Sequence, residues 1–207
     1  MRNMIMNERA LKRLLQASVL AFLGITLCGC GISPKPDFYL LHQAASSRLT
    51  GLERGIAIGI GPVNVAPYLD RPQIVTRAGN HRLKMSEFHR WSEPLKSGIS
   101  TVLAINLSNK LQSNRVYLLP RQNRTIPLDY RIIIDIVRFD GQLAGTAKLA
   151  ARWSLYGKDE QAILTRVSLI SADVQGKTYE QLVAAENRTL QKLSAEIAAA
   201  ITARQVH

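Results

Sequence analysis

The chain has 207 residues, 46% of them hydrophobic and 20% charged, with 27 Lys and Arg against 15 Asp and Glu and a formal net charge of +12. That apolar share can build a core and excludes a globally disordered chain. The length suits one domain with a tail, since domains commonly run ~100–200 residues.

The first thirty residues carry part of the positive excess. Arg2, Arg9, Lys12 and Arg13 face only Glu8, and the uncharged run LLQASVLAFLGITL follows at Leu14–Leu27. As a helix this run spans about 21 Å at ~1.5 Å per residue, short of the ~30 Å hydrocarbon core of a bilayer. A basic start followed by a short apolar run reads as a secretory signal peptide, with a membrane-anchoring helix as the alternative. Lys12-Arg13 is not a twin-arginine pair, which points to the general secretion route. The run ends in LCGC, Leu27–Cys30, which resembles the bacterial lipobox. Small residues before the cut admit the backbone to the peptidase, and a thiolate takes the diacylglyceryl group. On this pattern the cut falls between Gly29 and Cys30, Cys28 is discarded, and Cys30 receives N-acyl and S-diacylglyceryl groups. Anchoring by several chains is stable, each buried CH2 contributing ~0.8 kcal/mol. Gly31, rather than Asp, follows Cys30; the enterobacterial sorting rule then implies the periplasmic face of the outer membrane. A metal or redox role for the C-x-C pair is disfavoured. Metal sites commonly use C-x2-C with further ligands, and His42, His81, His89 and His207 share no ligand spacing.

The expected organisation is a signal peptide at 1–29, a lipidated tether at 30–36 and one periplasmic domain at 37–207. Cleavage removes four basic and one acidic side chain, so the remainder stays basic. In the periplasm such a surface meets anionic headgroups, lipopolysaccharide phosphates or an acidic partner, and not nucleic acid.

Along the domain, DFYLL (37–41) reads as a strand. GIAIGIGPVNV (55–65) alternates, with Ile56, Ile58 and Ile60 on one face. The small residues Ala57, Gly59 and Gly61 on the other predict close packing by another element. GIGP lacks the spacing of a phosphate loop. Gln73–Arg77 is a short strand, AGN a turn and HRLKM a hairpin partner. SEPLKSGISTVLAINLSNKL reads as a helix with Ser92 as N-cap and Leu95, Ile99, Leu103, Leu107 and Leu111 on one face. RVYLLP is a strand. DYRIIIDIVRFDG, AKLAARWSLYG and AILTRVSLIS follow as an antiparallel meander. In the first, Tyr130, Ile132, Ile134 and Ile136 share a face; in the last, Ile163, Thr165, Val167 and Leu169 do. The final segment, from Thr178, is a long amphipathic helix carrying Leu190, Leu193, Ile197 and Ile201. The expected fold class is α/β of the α+β type: one mixed, largely antiparallel sheet with two amphipathic helices packed on one face.

SEFHRWSEPL is the richest stretch chemically. An enzyme reading makes His89 a general base oriented by Glu87 or Glu93. Against it, no nucleophilic cysteine is left and neither GxSxG nor SxxK occurs. The favoured readings are a packed Trp91 shaping the helix entrance, or a protein contact. Two basic groups, Arg71–Lys96 and Lys110–Arg131, read as solvated surface or as a face for lipid or a partner.

Two segments carry a family resemblance. YLDRPQIV, from Tyr68, Leu69, Asp70, Arg71 and Pro72 onward, is followed by FHRWSEPL, with Phe88, His89, Arg90, Trp91, Glu93 and Pro94, and then by a helix. This pair resembles the ABC-type transport auxiliary lipoproteins, over most of the domain. The n-region is longer than that family's pattern, with Met4 and Met6 as alternative starts. The resemblance implies a non-catalytic outer-membrane lipoprotein without cofactor or metal. Its implied partners are a periplasm-spanning MCE-domain protein and an inner-membrane component, in a system moving phospholipid or other hydrophobic cargo. It also implies a ring-forming homo-oligomer and makes the motif residues a candidate partner contact. The alternatives are a structural envelope-integrity lipoprotein and a periplasmic hydrolase.

Overall fold

In a computed structural model the chain separates into two units, Met1–Lys35 and Pro36–His207. The structure describes residues 12, 13, 16, 18, 34–42, 55–119 and 126–205. Of the first unit, Lys12, Arg13, Gln16 and Ser18 are helical. Gly29 and Cys30, the expected cleavage and lipidation site, lie outside the described residues.

The described part of the second unit runs β1 (Asp37–Tyr39), β2 (Ile58–Val65), β3 (Gln73–Arg77), β4 (Leu83–Trp91), α1 (Leu95–Leu111), β5 (Val116–Leu118), β6 (Tyr130–Gly141), β7 (Thr146–Tyr156), β8 (Ala162–Asp173) and α2 (Tyr179–Gln205). All eight strands join one sheet. Strand β6 organises it. One edge of β6 pairs antiparallel with β7, which pairs antiparallel with β8. Its other edge takes β2 in parallel from Tyr130 to Ile136, and then meets β3 at Gly141. Beyond β2 lies β5, in parallel. Beyond β3 lie antiparallel β4 and, parallel to β4, β1. The sheet is mixed, and its longest pairings are the antiparallel ones of the meander, as the alternating sequence predicts.

Both helices cover one face. Helix α1 lies against β2 and β5, α2 against β6, β7 and β8, and the helices touch each other. Ile99, Leu103 and Leu107 of α1 are sealed in this core with Leu190, Leu193, Ile197 and Ile201 of α2. They pack on Ile58, Ile60, Ile132, Ile134, Ile136 and Trp153 of the sheet. Four-residue and two-residue periodicities thus meet across one interface.

Gly59 bears out the expected close packing on the small face of β2. A Cβ there would lie 2.6 Å from a Leu128 methyl and 2.7 Å from one of Leu119. At Gly61, whose φ is +140°, it would run into the Leu119 carbonyl oxygen.

Two expectations are corrected. First, the strand read as HRLKM runs on to Trp91, so Glu87, Phe88, His89 and Arg90 are strand residues. It is held on both edges, by β3 and by β1. Second, Ser92 does not cap α1. The helix starts at Leu95 behind Pro94, with no side-chain cap, because a residue preceding proline is pushed to extended backbone. Ser92 instead donates both its N–H (2.8 Å) and its hydroxyl (3.0 Å) to the Tyr39 carbonyl, tying β1 to the helix entrance. On β8, Ile163, Thr165, Val167 and Leu169 share a face as expected, and that face looks outward, while Ser168, Ile170 and Ala172 face the core.

Candidate functional site

The two motif segments are brought together by the turn 66–72 and the end of β4. Leu69 N–H donates to the Ala66 carbonyl (2.8 Å) and Arg71 N–H to that of Leu69 (2.8 Å), which folds the first segment back on itself. Trp91 N–H then donates to the Pro72 carbonyl at 2.7 Å, a seam between the segments. Leu69, Trp91 and Leu95 are buried beneath it. Above the seam an open groove of about 360 Å³ has a floor of Pro72, Trp91, Pro94 and Leu95. Asp70, Arg71, Ser92 and Glu93 form its polar rim. Arg71 spends one guanidinium nitrogen on the Met85 sulfur. Its Nε has no hydrogen-bond partner among the described residues. The rim is zwitterionic over an aromatic and proline floor, a surface suited to an extended polypeptide rather than to a small ion.

Tyr68 belongs to the same motif but turns away from the groove. Its hydroxyl donates to Asp140 Oδ2 at 2.9 Å. Arg77, at the end of β3, grips both oxygens of that carboxylate, Nε to Oδ1 at 3.0 Å and Nη2 to Oδ2 at 2.9 Å. Arg138 adds a further bond to Oδ1 at 3.0 Å. Asp140 is fully buried. Burial opposes its charge, but the Arg77 and Tyr68 hydrogen bonds and the two arginine charges outweigh burial and hold its carboxyl below the usual range. Burial and then the Asp140 charge push the Tyr68 phenol up to about 12. Tyr68 and Arg77 are therefore positioning residues that fasten the motif loop to β6. The sequence singled out neither Asp140 nor Arg138, which close the strand segment DYRIIIDIVRFDG and bear no motif of their own.

Close by in charge, if not by hydrogen bond, is Glu186 of α2. It is fully buried, with Oε2 unpartnered among the described residues. Burial, and secondarily the Asp140 charge, push its carboxyl well above the ordinary 4.5.

His89 sits elsewhere, in an aromatic cluster at the start of α2. Its Nδ1 shares a hydrogen bond of 2.8 Å with the Tyr39 hydroxyl, and its ring stacks on Tyr179 at 3.9 Å. The carboxylate beside it is Asp37, at 3.6 Å, and not Glu87 or Glu93. The general-base arrangement expected of an enzyme reading is thus absent among the described residues. Arg90, paired with Phe38, takes the other face of β4, and Phe88 is exposed. A larger open groove, about 500 Å³, runs between Asp37–Leu40 and the residues Glu180, Val183 and Asn187 of α2. It draws on neither motif. Among the described residues, no group of three His, Cys, Asp or Glu is placed to hold a metal, and no helix is long and apolar enough to cross a membrane.

Two solved structures share the fold. One is the crystal structure of an uncharacterized protein, with a TM-score of 0.67 at 18% identity, covering 81% of this chain and 99% of that one. The other is protein XCC0632 from Xanthomonas campestris, of the family DUF330, with a TM-score of 0.65 at 17% identity, covering 82% and 97%. No curated protein matches the chain. Residues 39–198 match the model of the ABC-type transport auxiliary lipoprotein component. That span holds both motif segments, the seam that joins them and most of both helices, and the chain belongs to this family of transport auxiliary lipoproteins.

Proposed function

We propose that the protein is the outer-membrane lipoprotein of an MCE-type intermembrane transport system carrying phospholipid or another hydrophobic cargo. Cys30, exposed by cleavage after Gly29, carries the acyl anchor, and residues 31–36 hold the domain at 37–207 near the periplasmic face of the membrane. The domain does no covalent chemistry. It receives the periplasm-spanning MCE-domain protein, itself joined to an inner-membrane component, in the groove between the motif segments. Family resemblance further supports a homo-oligomeric ring.

The observation that carries this reading is the seam from Trp91 N–H to the Pro72 carbonyl, which closes the β3–β4 hairpin and sets the two motif segments side by side. Leu69, Ile74, Trp91 and Leu95 are spent on packing, while Asp70, Arg71 and Glu93 remain on the groove's rim. The placement of His89 among aromatic rings, away from Glu87 and Glu93, supports a non-catalytic role.

Crosslinking in intact envelopes followed by pull-down tests the reading. An MCE-domain protein is expected to co-purify with the wild type and to be lost from an Arg71→Glu/Glu93→Arg double variant of unchanged melting temperature. Recovery of the lipoprotein with no MCE-domain protein contradicts it.

A further inference from the structure

We propose that the outer face of β1 and β4 is a membrane-contact surface, on which Phe38, Leu40 and Phe88 enter the boundary between headgroups and acyl chains. The inference rests on the Cys30 anchor proposed above and adds to it an orientation of the domain.

Strands β1 and β4 pair in parallel, Asp37 opposite His89, Phe38 opposite Arg90 and Tyr39 opposite Trp91. Neighbours in such a pair share a face, and faces alternate along each strand. Tyr39, His89 and Trp91 therefore look inward, as the Tyr39–His89 bond and the burial of Trp91 require. Phe38 and Arg90 look outward, Leu40 continues the alternation, and Phe88 lies in the irregular stretch of β4 between Met85 and Arg90. Phe38 is 63% exposed, Phe88 44% and Leu40 43%. Single exposed apolar residues are common and need no cause. Three large ones on β1 and the paired end of β4, two of them aromatic, are the kind of exposed apolar group that marks a docking or membrane surface. Arg90, paired with Phe38, is half-buried, and its Nε is buried and has no hydrogen-bond partner among the described residues. A long side chain with a charged tip suits an apolar surface that borders phosphates.

The position of the patch in the chain selects its occupant. Only six residues, 31–36, separate Cys30 from Asp37. Fully extended they reach roughly 20 Å at ~3.3 Å per residue. A domain held on so short a tether must present a surface to the bilayer, and β1 is its first element. The more exposed apolar residues of β8, Val167 at 61% and Leu169 at 81%, are five strand positions from β1 in the order β1-β4-β3-β6-β7-β8. At ~4.8 Å per strand that is roughly 24 Å away. They provide an internal control.

The test uses the full processed protein, purified with its acyl groups and reconstituted in phosphatidylethanolamine–phosphatidylglycerol vesicles. Phe38→Cys, Phe88→Cys and Leu169→Cys are labelled separately with an environment-sensitive fluorophore. The label takes the introduced thiol alone, since Cys28 leaves with the signal peptide and Cys30 is a thioether. Flotation first reports the anchor. With protein floating, the proposal expects blue-shifted emission and quenching by lipid nitroxides at positions 38 and 88, and water-like emission at 169. Floating protein with 38 and 88 as unquenched as 169, or with 169 quenched instead, overturns the membrane-contact surface and leaves the anchor standing. Protein that fails to float overturns the anchor, and the orientation with it.

Discussion

The segment from Tyr68 to Arg77 contributes to two charged sites a few residues apart, and they are built on opposite terms. At Asp140 the carboxylate is closed off: both of its oxygens are bonded by Tyr68, Arg77 and Arg138 and neither side-chain oxygen meets solvent, although the two arginines remain partly exposed. In the groove the charges of Asp70, Arg71 and Glu93 stand at the rim, and Arg71 leaves a nitrogen unmatched. A buried charge is costly unless fully paired, whereas a rim charge contributes little to stability. The same stretch of sequence is therefore structural at its ends and free for recognition in its middle. Motif membership alone does not distinguish the two roles.

That contrast can be broken most forcefully at its closed end. Asp140→Ala leaves two guanidinium groups without their carboxylate, and about 3–5 kcal/mol of unfolding free energy is expected to disappear in urea titrations. Tyr68→Phe removes one hydrogen bond to a charged acceptor, with an expected loss of about 1.5–3 kcal/mol in the same measurement. Gly59→Val drives a side chain into Leu119 and Leu128, and about 1–3 kcal/mol is expected from overpacking. At the open end Arg71→Ala is expected to stay within about 0.5 kcal/mol of wild type, while losing partner capture. A large stability loss there would erase the distinction between the two sites.

The pH dependence sharpens the same comparison, because Asp140 and Glu186 are both sealed in and shifted oppositely. Asp140 is held charged, so its contribution is complete above the ordinary 3.8 and is lost as pH falls through its lower folded value. Glu186 retains its proton, so stability declines as pH climbs from 4.5 toward its raised folded value. Glu186→Gln cannot ionise. Its urea midpoint is expected to lose that decline with rising pH, and to keep the fall at acid pH. An unchanged slope in the variant would show that Glu186 has another partner.

Most of this architecture was legible where one face is buried. The Ile132–Ile136 alternation and the Leu190–Ile201 stripe each declare a core face, and these elements fall within a residue or two of their expected bounds. The second half of β4 was not legible. Glu87, Phe88, His89 and Arg90 offer no clear alternation, and the strand runs on there because His89, Arg90 and Trp91 pair with β1, about fifty residues away. Parallel pairing of β2 with β6 was hidden for the same reason. On β8 the shared face was legible but not the side it takes: the inward Ser168 is accommodated by a hydrogen bond from the Trp153 indole at 2.9 Å and another to Glu196, while Leu169 faces out. In the candidate site, the motif residues were identifiable, but their division between groove and Asp140 was not. Asp140 and Arg138 come from a segment more than sixty residues beyond Tyr68.

The central claim is that the groove between Pro72 and Pro94 receives an MCE-domain partner. Photo-crosslinking in living cells tests it most directly, with a photoreactive amino acid placed at Arg71, at Glu93 or at Leu169. The account predicts a crosslinked adduct to an MCE-domain protein from positions 71 and 93 and none from 169. An adduct from 169 alone, or no MCE-domain adduct from either groove position, would contradict it.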